Sequence, residues 1–414
     1  DQKKSMKNYS EALKLIQNNV SVIGVEELDT QSAKGAIAKD IISSNAVPSF
    51  SNSAMDGYCL KSELTSNASA ENPVELPIKG TIFAGDKPPS NTEDSDVYEI
   101  MTGSKMPDQM DTVLPVEKGD LIEKEGSKFL VLNEPIKRDA NVRKSGEDFQ
   151  KDELILSKGT MINDHHKIAL IMNHENTIEV FQNPKIGILT TGNELDGSSA
   201  ASVPNSNGPF LESSAQSMGL ECSNNLHAGD DINEIIEQIQ KIKDSGANLI
   251  LTSGGVSAGK ADFIPAALTQ MGAETLFHKL WIRPGKPVLM AKFPDGQIAF
   301  GLPGNPVSVA VGFRFLAAQA IRILQGRALE KPIASKNSIN YKKSEKFCLF
   351  AKAIARVDED GQIHTEVMSG QESFKVKPFR DANCWAMIPE GIETIKKGEA
   401  ISIYPLSDDG NIDF

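Results

Sequence analysis

A run of small residues between an apolar segment and a helical pattern has the composition of a phosphate-binding loop. The segment Leu249–Leu251 has no polar residue, as expected for a strand buried on both faces, and it leads into Thr252, Ser253, Gly254 and Gly255. Glycines let backbone N–H groups approach an anion closely, because no Cβ atom intervenes. Asp262 stands where a helical pattern begins, so it can cap that helix or bind a cation. This order of strand, glycine loop and helix predicts a phosphate site.

Charged residues also follow the other strands predicted beside this loop. Glu194 follows the first strand of the alternating pattern and Asp231 follows the second. Lys286, in a Pro-Gly-Lys-Pro sequence, and the turn Pro303-Gly304-Asn305-Pro306 follow later strands. Because the carboxyl ends of parallel strands meet at one edge of a sheet, we expect these residues to gather there. Carboxylates beside lysines suit a Mg²⁺ ion that bridges phosphate oxygens.

Most of these residues also have a purely structural explanation. Asp231 and Asp262 stand at expected helix N-caps, and Pro306 is a common first residue of a helix. Lys286 is harder to explain in this way, because the flanking prolines hold it in a rigid segment. The six histidines show no metal-ligand spacing, and no Ser-His-Asp or Cys-His arrangement indicates a nucleophile. The residues alone therefore predict an α/β enzyme that acts on a phosphate-bearing ligand.

The elements that position these residues change in character along the chain. Residues 183–327 alternate strands with helices, which predicts a largely parallel sheet covered on both faces. Residues 51–139 form short runs broken by glycine and proline, which predicts an all-β insertion. The insertion separates residues 1–50 from residues 140–182. Residues 328–414 are rich in predicted strands and form a small β-barrel in this interpretation.

Composition limits the classes of function. A chain of 414 residues exceeds one hydrophobic core, and 39% hydrophobic with 24% charged residues is typical of a soluble protein. The net charge of −13 argues against nucleic acid, and it means that an anionic substrate needs local cations or a metal. Four scattered cysteines without a CxxC motif predict reduced thiols in the cytoplasm. The longest apolar stretch, Val307 to Leu324, holds two arginines and is expected to be a buried helix rather than a membrane span.

Seven short motifs occur in order along the chain: Ser53-Ala54-Met55-Asp56-Gly57-Tyr58, Met101-Thr102-Gly103, Gly146-Glu147-Asp148, Thr191-Gly192-Asn193-Glu194-Leu195, Ser253-Gly254-Gly255-Val256-Ser257, Pro284-Gly285-Lys286-Pro287 and Leu302-Pro303-Gly304-Asn305-Pro306. Together they resemble the molybdopterin molybdenumtransferases, the MoeA family, which includes the E domain of gephyrin. The resemblance covers nearly the whole chain and is weakest after residue 330.

The resemblance implies a multidomain α/β protein: an elongated helical linker domain (1–50 plus 140–182), a β-hammerhead (51–139), an α/β molybdopterin-binding domain (183–327) and a C-terminal β-barrel (328–414). It implies six catalytic residues: Asp56, Thr102, Asp148, Glu194, Asp231 and Asp262. Three of them, Glu194, Asp231 and Asp262, are the implied Mg²⁺ ligands. Eleven residues are implied to bind the pterin substrate: Ser253, Gly254, Gly255, Ser257, Gly259, Lys279, Lys286, Pro303, Gly304, Asn305 and Pro306.

The implied reaction inserts molybdate into adenylylated molybdopterin and releases AMP with the help of Mg²⁺. The resemblance also implies a homodimer, with the adenylyltransferase and apo-molybdoenzymes as further partners and no nucleic acid or membrane. Two other functions stay open. A molybdopterin adenylyltransferase is usually one short domain, which the insertion and barrel argue against. A gephyrin-like scaffold needs a second α/β module, but this chain holds one Ser-Gly-Gly loop.

Three positions depart from the family pattern. Asn193 stands where an Asp usually precedes the Glu, and Asn205 stands where an Asp is common. Ser145 replaces a frequent basic residue beside Gly146. The loss of two carboxylates is expected to weaken a metal or ribose contact.

Overall fold

The chain begins with one helix and three short strands that do not pair with one another. In this computed structural model the described residues are 6–195, 202–256, 263–408 and 410–414. Asn8 caps the first helix in a capping box with Glu11, each donating a backbone N–H to the other's side chain at 2.8 Å. These elements are α1 (Tyr9–Asn19), β1 (Val25–Asp29), β2 (Ile41–Ile42) and β3 (Asn52–Ser53).

The insertion folds as one six-stranded mixed sheet. Its strands are β4 (Gly57–Leu60), β5 (Val74–Ile82), β6 (Val97–Ile100), β7 (Thr112–Pro115), β8 (Asp120–Lys124) and β9 (Ser127–Leu132). The spatial order is β7-β4-β6-β5-β9-β8. Tyr58, Leu76 and Leu130 are buried in its core. The predicted β insertion is therefore present, since the glycines and prolines end each strand after a few residues.

The chain returns from the insertion and pairs with the strands that precede it. The returning elements are β10 (Val142–Arg143), β11 (Leu154–Leu156), α2 (Asp164–Met172) and β12 (Thr177–Phe181). Three antiparallel pairs form, β3 with β10, β2 with β11 and β1 with β12. Ile37, Leu170 and Val180 are buried between them. A small hydrophobic core and these three pairs thus support the inserted sheet at its base.

The next unit is a six-stranded sheet with helices packed against it. Its elements are β13 (Lys185–Thr191), α3 (Asn207–Ser217), β14 (Glu221–Ala228), α4 (Ile232–Asp244), β15 (Leu249–Ser253), α5 (Ile264–Gln270), β16 (Glu274–His278), β18 (Leu289–Lys292), β19 (Ile298–Leu302), α6 (Pro306–Gly312) and α7 (Ala318–Leu324), while the short β17 (Ile282–Arg283) leaves the sheet. The order is β14-β13-β15-β19-β18-β16. The first four strands are parallel, whereas β18 and β16 are antiparallel to their neighbours. The predicted, largely parallel α/β unit is confirmed.

The last helical segment, Pro306 to Leu324, is continuous through a turn of π-helix at Phe313–Ala317. It has the length and apolarity of a membrane span, yet 89% of its most apolar stretch is buried inside the molecule. Arg314, 2% exposed, donates both terminal guanidinium nitrogens to Glu330, at 2.5 and 2.8 Å. The helix is apolar on all sides because the sheet and the barrel both pack against it.

The predicted C-terminal β-barrel is present. The strands of this region are β20 (Ile333–Asn337), β21 (Tyr341–Lys342), β22 (Cys348–Val357), β23 (Ile363–Val367), β24 (Cys384–Ile388), β25 (Thr394–Ile395) and β26 (Ala400–Pro405). Five of them form a closed barrel in the order β22, β23, β20, β26 and β24, and β24 pairs back onto β22. Strand β17 pairs with β22 and joins the barrel to the α/β unit.

One predicted assignment differs in the structure. Helix α1 was expected in the linker domain, but Ala12, Ile16 and Val20 are buried in the core of the α/β unit. The backbone at Lys7 also pairs with Leu280. The sequence shows that α1 has one apolar face, but that face alone does not specify which surface covers it.

Candidate functional site

A cleft of 630 Å³ lies at the edge of the sheet where the parallel strands end. We call it the cleft. Loops after β13, β14, β15 and β19 line it, as does Pro287 just before β18. Since β18 is antiparallel, its first residue meets the carboxyl ends of its neighbours. The loop from Arg283 to Pro287 thus reaches the predicted edge, although it does not follow a parallel strand.

Eight of the predicted residues line the cleft: Glu194, the segment Ser253–Gly255 and the segment Pro303–Pro306. Buried hydrogen bonds hold the two segments together. The amide nitrogen of Asn207 donates to Ser253 Oγ at 2.9 Å and to the carbonyl of Gly304 at 2.7 Å. The start of α3 therefore fixes both loops against each other.

Gly254 shapes the cleft rather than donating to an anion. Its φ is +96°, and a Cβ atom there would lie 2.7 Å from the carbonyl oxygen of Thr191. Its N–H donates to the carbonyl of Leu302 at 3.0 Å. That N–H is occupied, so it is not the anion donor that the glycine loop led us to expect.

The acidic wall of the cleft consists of Glu194 and Asp230. Asp230 was not among the predicted ligands, whereas the neighbouring Asp231 was. Asp231 Oδ1 accepts the N–H groups of Asn233 and Glu234, each at 2.9 Å, so Asp231 is the N-cap of α4. The sequence predicted either a helix cap or a metal ligand at Asp231. The structure shows the helix cap, and the preceding residue, Asp230, lines the cleft.

Asn193 explains how Asp230 is held. The N–H of Asp230 donates to Asn193 Oδ1 at 3.0 Å, and the N–H of Asn193 donates to Asp230 Oδ2 at 3.3 Å. This reciprocal pair joins the loops after β13 and β14. An Asp at position 193 would place a second negative charge against Asp230, which the amide avoids.

The carboxylates of the cleft fit a Mg²⁺ ion that is shared with a phosphate ligand. Mg²⁺ in such sites commonly uses one or two carboxylates together with substrate oxygens. Within the described ranges, no three His, Cys, Asp or Glu side chains gather as a complete metal cage. No lysine or arginine of those ranges lines the cleft either. Asp262, Ser257 and Gly259 lie outside the described residues.

Ser206 and Asn207, at the start of α3, were missed as site residues, and Asn205 was noted only as a departure from the family pattern. Asn205, Ser206 and Asn207 line the cleft, and so does Pro306 at the start of α6. Asn205 accepts the N–H of Gly208 and donates to Thr190 Oγ1, both at 3.1 Å. The signal was the sequence Pro-Asn-Ser-Asn before a helix, since such residues cap helices. Helices α3 and α6 therefore direct two positive dipole ends toward this space.

The two predicted lysines do not line the cleft. Lys286 is exposed, with its ammonium 5.5 Å from the ring centre of Trp281. Lys279 adopts φ +68°, and its N–H donates to Val288. On the barrel side of this loop lies a 400 Å³ space that we call the basic pocket, because its wall has three basic side chains, Arg283, Lys342 and Lys343, and one acidic one, Glu372.

Asp56, Thr102 and Asp148 lie away from the cleft of their own chain. Asp56 Oδ1 accepts the N–H and the hydroxyl of Thr102, each at 2.7 Å. These two bonds hold the pKa of Asp56 below its ordinary value. Asp148 is exposed on the adjoining segment, where its N–H donates to Val47 at 2.9 Å. All three residues sit where the inserted sheet meets its base.

The cysteines offer no nucleophile. All four are free, and burial raises the pKa of Cys59, Cys348 and Cys384 to about 12. Such thiols stay protonated near neutral pH and do not attack a substrate.

Comparison with known proteins finds three family models that together match most of the chain. Residues 7–173 match the MoeA N-terminal region (domains I and II), residues 187–323 match a probable molybdopterin-binding domain, and residues 335–406 match the MoeA C-terminal region (domain IV). A molybdopterin molybdenumtransferase of Synechococcus elongatus is 29% identical over 96% of this chain and 99% of its own length. One from Staphylococcus aureus is 29% identical over 89% and 87%. The crystal structure of a molybdopterin biosynthesis MoeA protein from Pyrococcus horikosii superimposes with a TM-score of 0.81 at 26% identity, covering 97% of this chain and all of the other.

Replacing Asp231 tests its capping role. Asp231→Ala is expected to lower the free energy of unfolding by about 0.5–2 kcal/mol, because two N–H groups of α4 lose their acceptor. Asp231→Asn retains an acceptor and should change stability by much less. Denaturant unfolding followed by circular dichroism measures both, and equal losses would contradict the capping role.

Replacing Thr102 tests the contact with Asp56. Thr102→Val removes the hydroxyl but keeps the N–H donor, so the pKa of Asp56 should rise toward its ordinary value without reaching it. The contact favours ionised Asp56, so it is lost as pH falls through the lowered pKa. Carbon-detected NMR titration of the carboxyl group measures the shift, with Thr92→Val as a control that does not contact Asp56. An unchanged pKa would show that the hydroxyl contributes nothing.

Proposed function

This chain belongs to the MoeA family of molybdenum cofactor biosynthesis, and we propose that it inserts molybdate into adenylylated molybdopterin with release of AMP. The observation that carries the proposal is the cleft itself, where two helix N-termini and two carboxylates share one space. Helix N-termini favour phosphate groups. The carboxylates favour a cation beside them. Together they fit a phosphoanhydride that is bound as its magnesium complex.

Glu194 and Asp230 are the described residues that would hold the Mg²⁺ ion. When bound, the ion supplies positive charge that offsets the phosphates and the leaving AMP. The protein's own part is to fix the Asp230 carboxylate, through the Asn193–Asp230 pair, and to fix the loops after β15 and β19 through Asn207. Hydrogen bonds within the protein thus hold Asp230 and the two loops in place before the substrate binds. Little reorganisation of the site then accompanies the reaction.

The basic pocket is the place that we assign to molybdate. An incoming oxyanion meets acidic groups in the cleft, whereas the pocket beyond is lined by three basic side chains, Arg283, Lys342 and Lys343, and one acidic one, Glu372. Arg283 begins the loop that ends at Pro287 in the cleft, so one short segment borders both spaces. This division keeps the two anions apart until they react, which limits their mutual repulsion.

A homodimer completes the site in this proposal. Asp56 and Thr102 do not line the cleft of their own chain, although their motifs are among those that define the family resemblance. An exposed apolar face on α2, formed by Ile168, Ile171 and Met172, suits burial against a second copy. Two-fold dimers create two shared sites at once. We also propose that the protein is cytoplasmic, which is supported by its four free thiols. We propose the adenylyltransferase and apo-molybdoenzymes as its further partners, as the family resemblance implies.

The central experiment mixes the protein with adenylylated molybdopterin, molybdate and Mg²⁺ and measures AMP. AMP should appear, should stop with a chelator and should return with Mg²⁺. Glu194→Gln and Asp230→Asn should each lower the rate roughly 100-fold, because an amide does not replace a carboxylate beside the ion. Glu221→Gln, at the far end of β14, is the matched control and should be active. No AMP from the wild-type protein would refute the proposed reaction.

Complementation tests the shared site. Asp56→Ala and Glu194→Gln chains, each expected to have little activity alone, are mixed under conditions of measured subunit exchange. Each mixed dimer regains one intact site, so an equal mixture should recover roughly a quarter of the wild-type rate. If exchange is complete and no activity returns, each chain builds its site alone.

A further inference from the structure

A second cavity, of 440 Å³, opens beside the cleft where the α/β unit meets the barrel. We call it the aromatic cavity. It shares Ser206, Asn207 and Pro306 with the cleft, so the two spaces border the same residues. Its volume lies within the range of small-molecule sites. The proposed reaction assigns no role to this cavity.

Two pairs of aromatic rings line this cavity, one pair from each unit. Phe210 of α3 and Phe313 of the π-turn are in edge contact, with centroids 6.3 Å apart. Phe379 and Trp385 of the barrel are also in edge contact, with centroids 5.6 Å apart. Aromatic rings from two different units meet here without filling the space between them. Such walls favour a planar ring, which gains contact area and stacking at little entropic cost.

The charged groups of the cavity wall, Arg314 and Asp408, are paired with each other, and several of its other polar groups have partners within the protein. Arg314 is paired with Glu330, and its Nε donates to the carbonyl of Pro405 at 3.1 Å. The indole N–H of Trp385 donates to Leu406 at 3.2 Å. Asn207 Nδ2 is used by Ser253 and Gly304. The cavity therefore suits a ligand part with an aromatic face and no net charge, unlike the cleft.

We propose that the aromatic cavity binds a planar heteroaromatic ring of the substrate while the cleft binds its phosphates. This inference rests on the proposed function and deepens it. The substrate carries two such rings, the pterin and the adenine, and both share the chemistry that the cavity recognises. A ring attached to phosphates would pass over Asn207 and Pro306, which border both spaces.

Phe210 is the best position for a test. It is 39% exposed, so truncation to Ala removes the ring with a limited effect on the core. Phe374, 64% exposed and absent from the cavity wall, is the matched control. Calorimetric titrations use three probes: AMP, neopterin and inorganic pyrophosphate. Phe210→Ala should weaken binding of AMP, of neopterin or of both by about 3- to 10-fold and leave pyrophosphate unchanged.

A second variant and a spectroscopic signal guard against a folding defect. Phe379→Leu keeps an apolar side chain in the barrel wall and should weaken the same probe as Phe210→Ala. Trp385 lies in the cavity wall and Trp281 does not. In a Trp281→Phe background the remaining indole emission should therefore change with the ring probe and not with pyrophosphate. Melting curves of all variants establish that they are folded.

Each outcome decides the proposal. Weaker AMP binding assigns the cavity to adenine, and weaker neopterin binding assigns it to the pterin. If neither probe binds the wild type, or if both variants bind each probe within twofold of wild type, the proposal is overturned. The AMP-release assay separates the two claims: a wild type that releases AMP but has no ring site refutes only the cavity. A ring site without AMP release refutes only the reaction.

Discussion

The hydrogen-bonded ladder of β13, β15 and β19 is the constraint on which the rest of the structure depends. Ile188, Leu251 and Phe300 pair side by side in this ladder, and each is fully buried. The middle of a strand that is buried on both faces is apolar, and polar side chains such as Ser253 of β15 stand at its end. The chemistry is therefore confined to the strand ends. Because the three strands are parallel, their carboxyl ends meet at one edge. The cleft lies there, and each loop that borders it is fixed by the strand before or after it.

Charge is divided between the spaces around this edge. The cleft has two carboxylates and two helix N-termini, while arginine and lysines line the basic pocket on the barrel side. The chain has a net charge of −13, so an oxyanion substrate needs such a local group of basic side chains in order to bind. The departures from the family pattern fit the same arrangement. The Asn205 side chain both donates and accepts a hydrogen bond, which a carboxylate cannot do. The Asn193 side chain accepts the N–H of Asp230 without adding a charge beside that carboxylate.

The junction of barrel and α/β unit is a structural element in its own right. The helix from Pro306 to Leu324 packs against both, and Arg314 is buried within it beside Glu330 and Asp408. Removing one partner of a buried ion pair leaves an uncompensated charge, so this cluster holds the two units in one arrangement. Strand β17 adds backbone hydrogen bonds to the barrel. A rigid junction is what allows two cavities to be built from residues of both units.

The sequence by itself determined the α/β unit, the inserted sheet, the barrel and eight of the residues that line the cleft. These follow from local signals: apolar runs of strand length, glycines after strands, and prolines that start helices. It also found both explanations for Asp231, but it could not choose between them, because Asp230 and Asp231 differ only in which one faces the helix end. Helix α1 was predicted in the linker domain but packs on the α/β unit, because an apolar helix face does not specify which surface covers it. The aromatic cavity unites Phe210 with Trp385, and the reciprocal pair unites Asn193 with Asp230. Such contacts between residues far apart in sequence depend on strand order and on how the units pack, which only the tertiary structure decided.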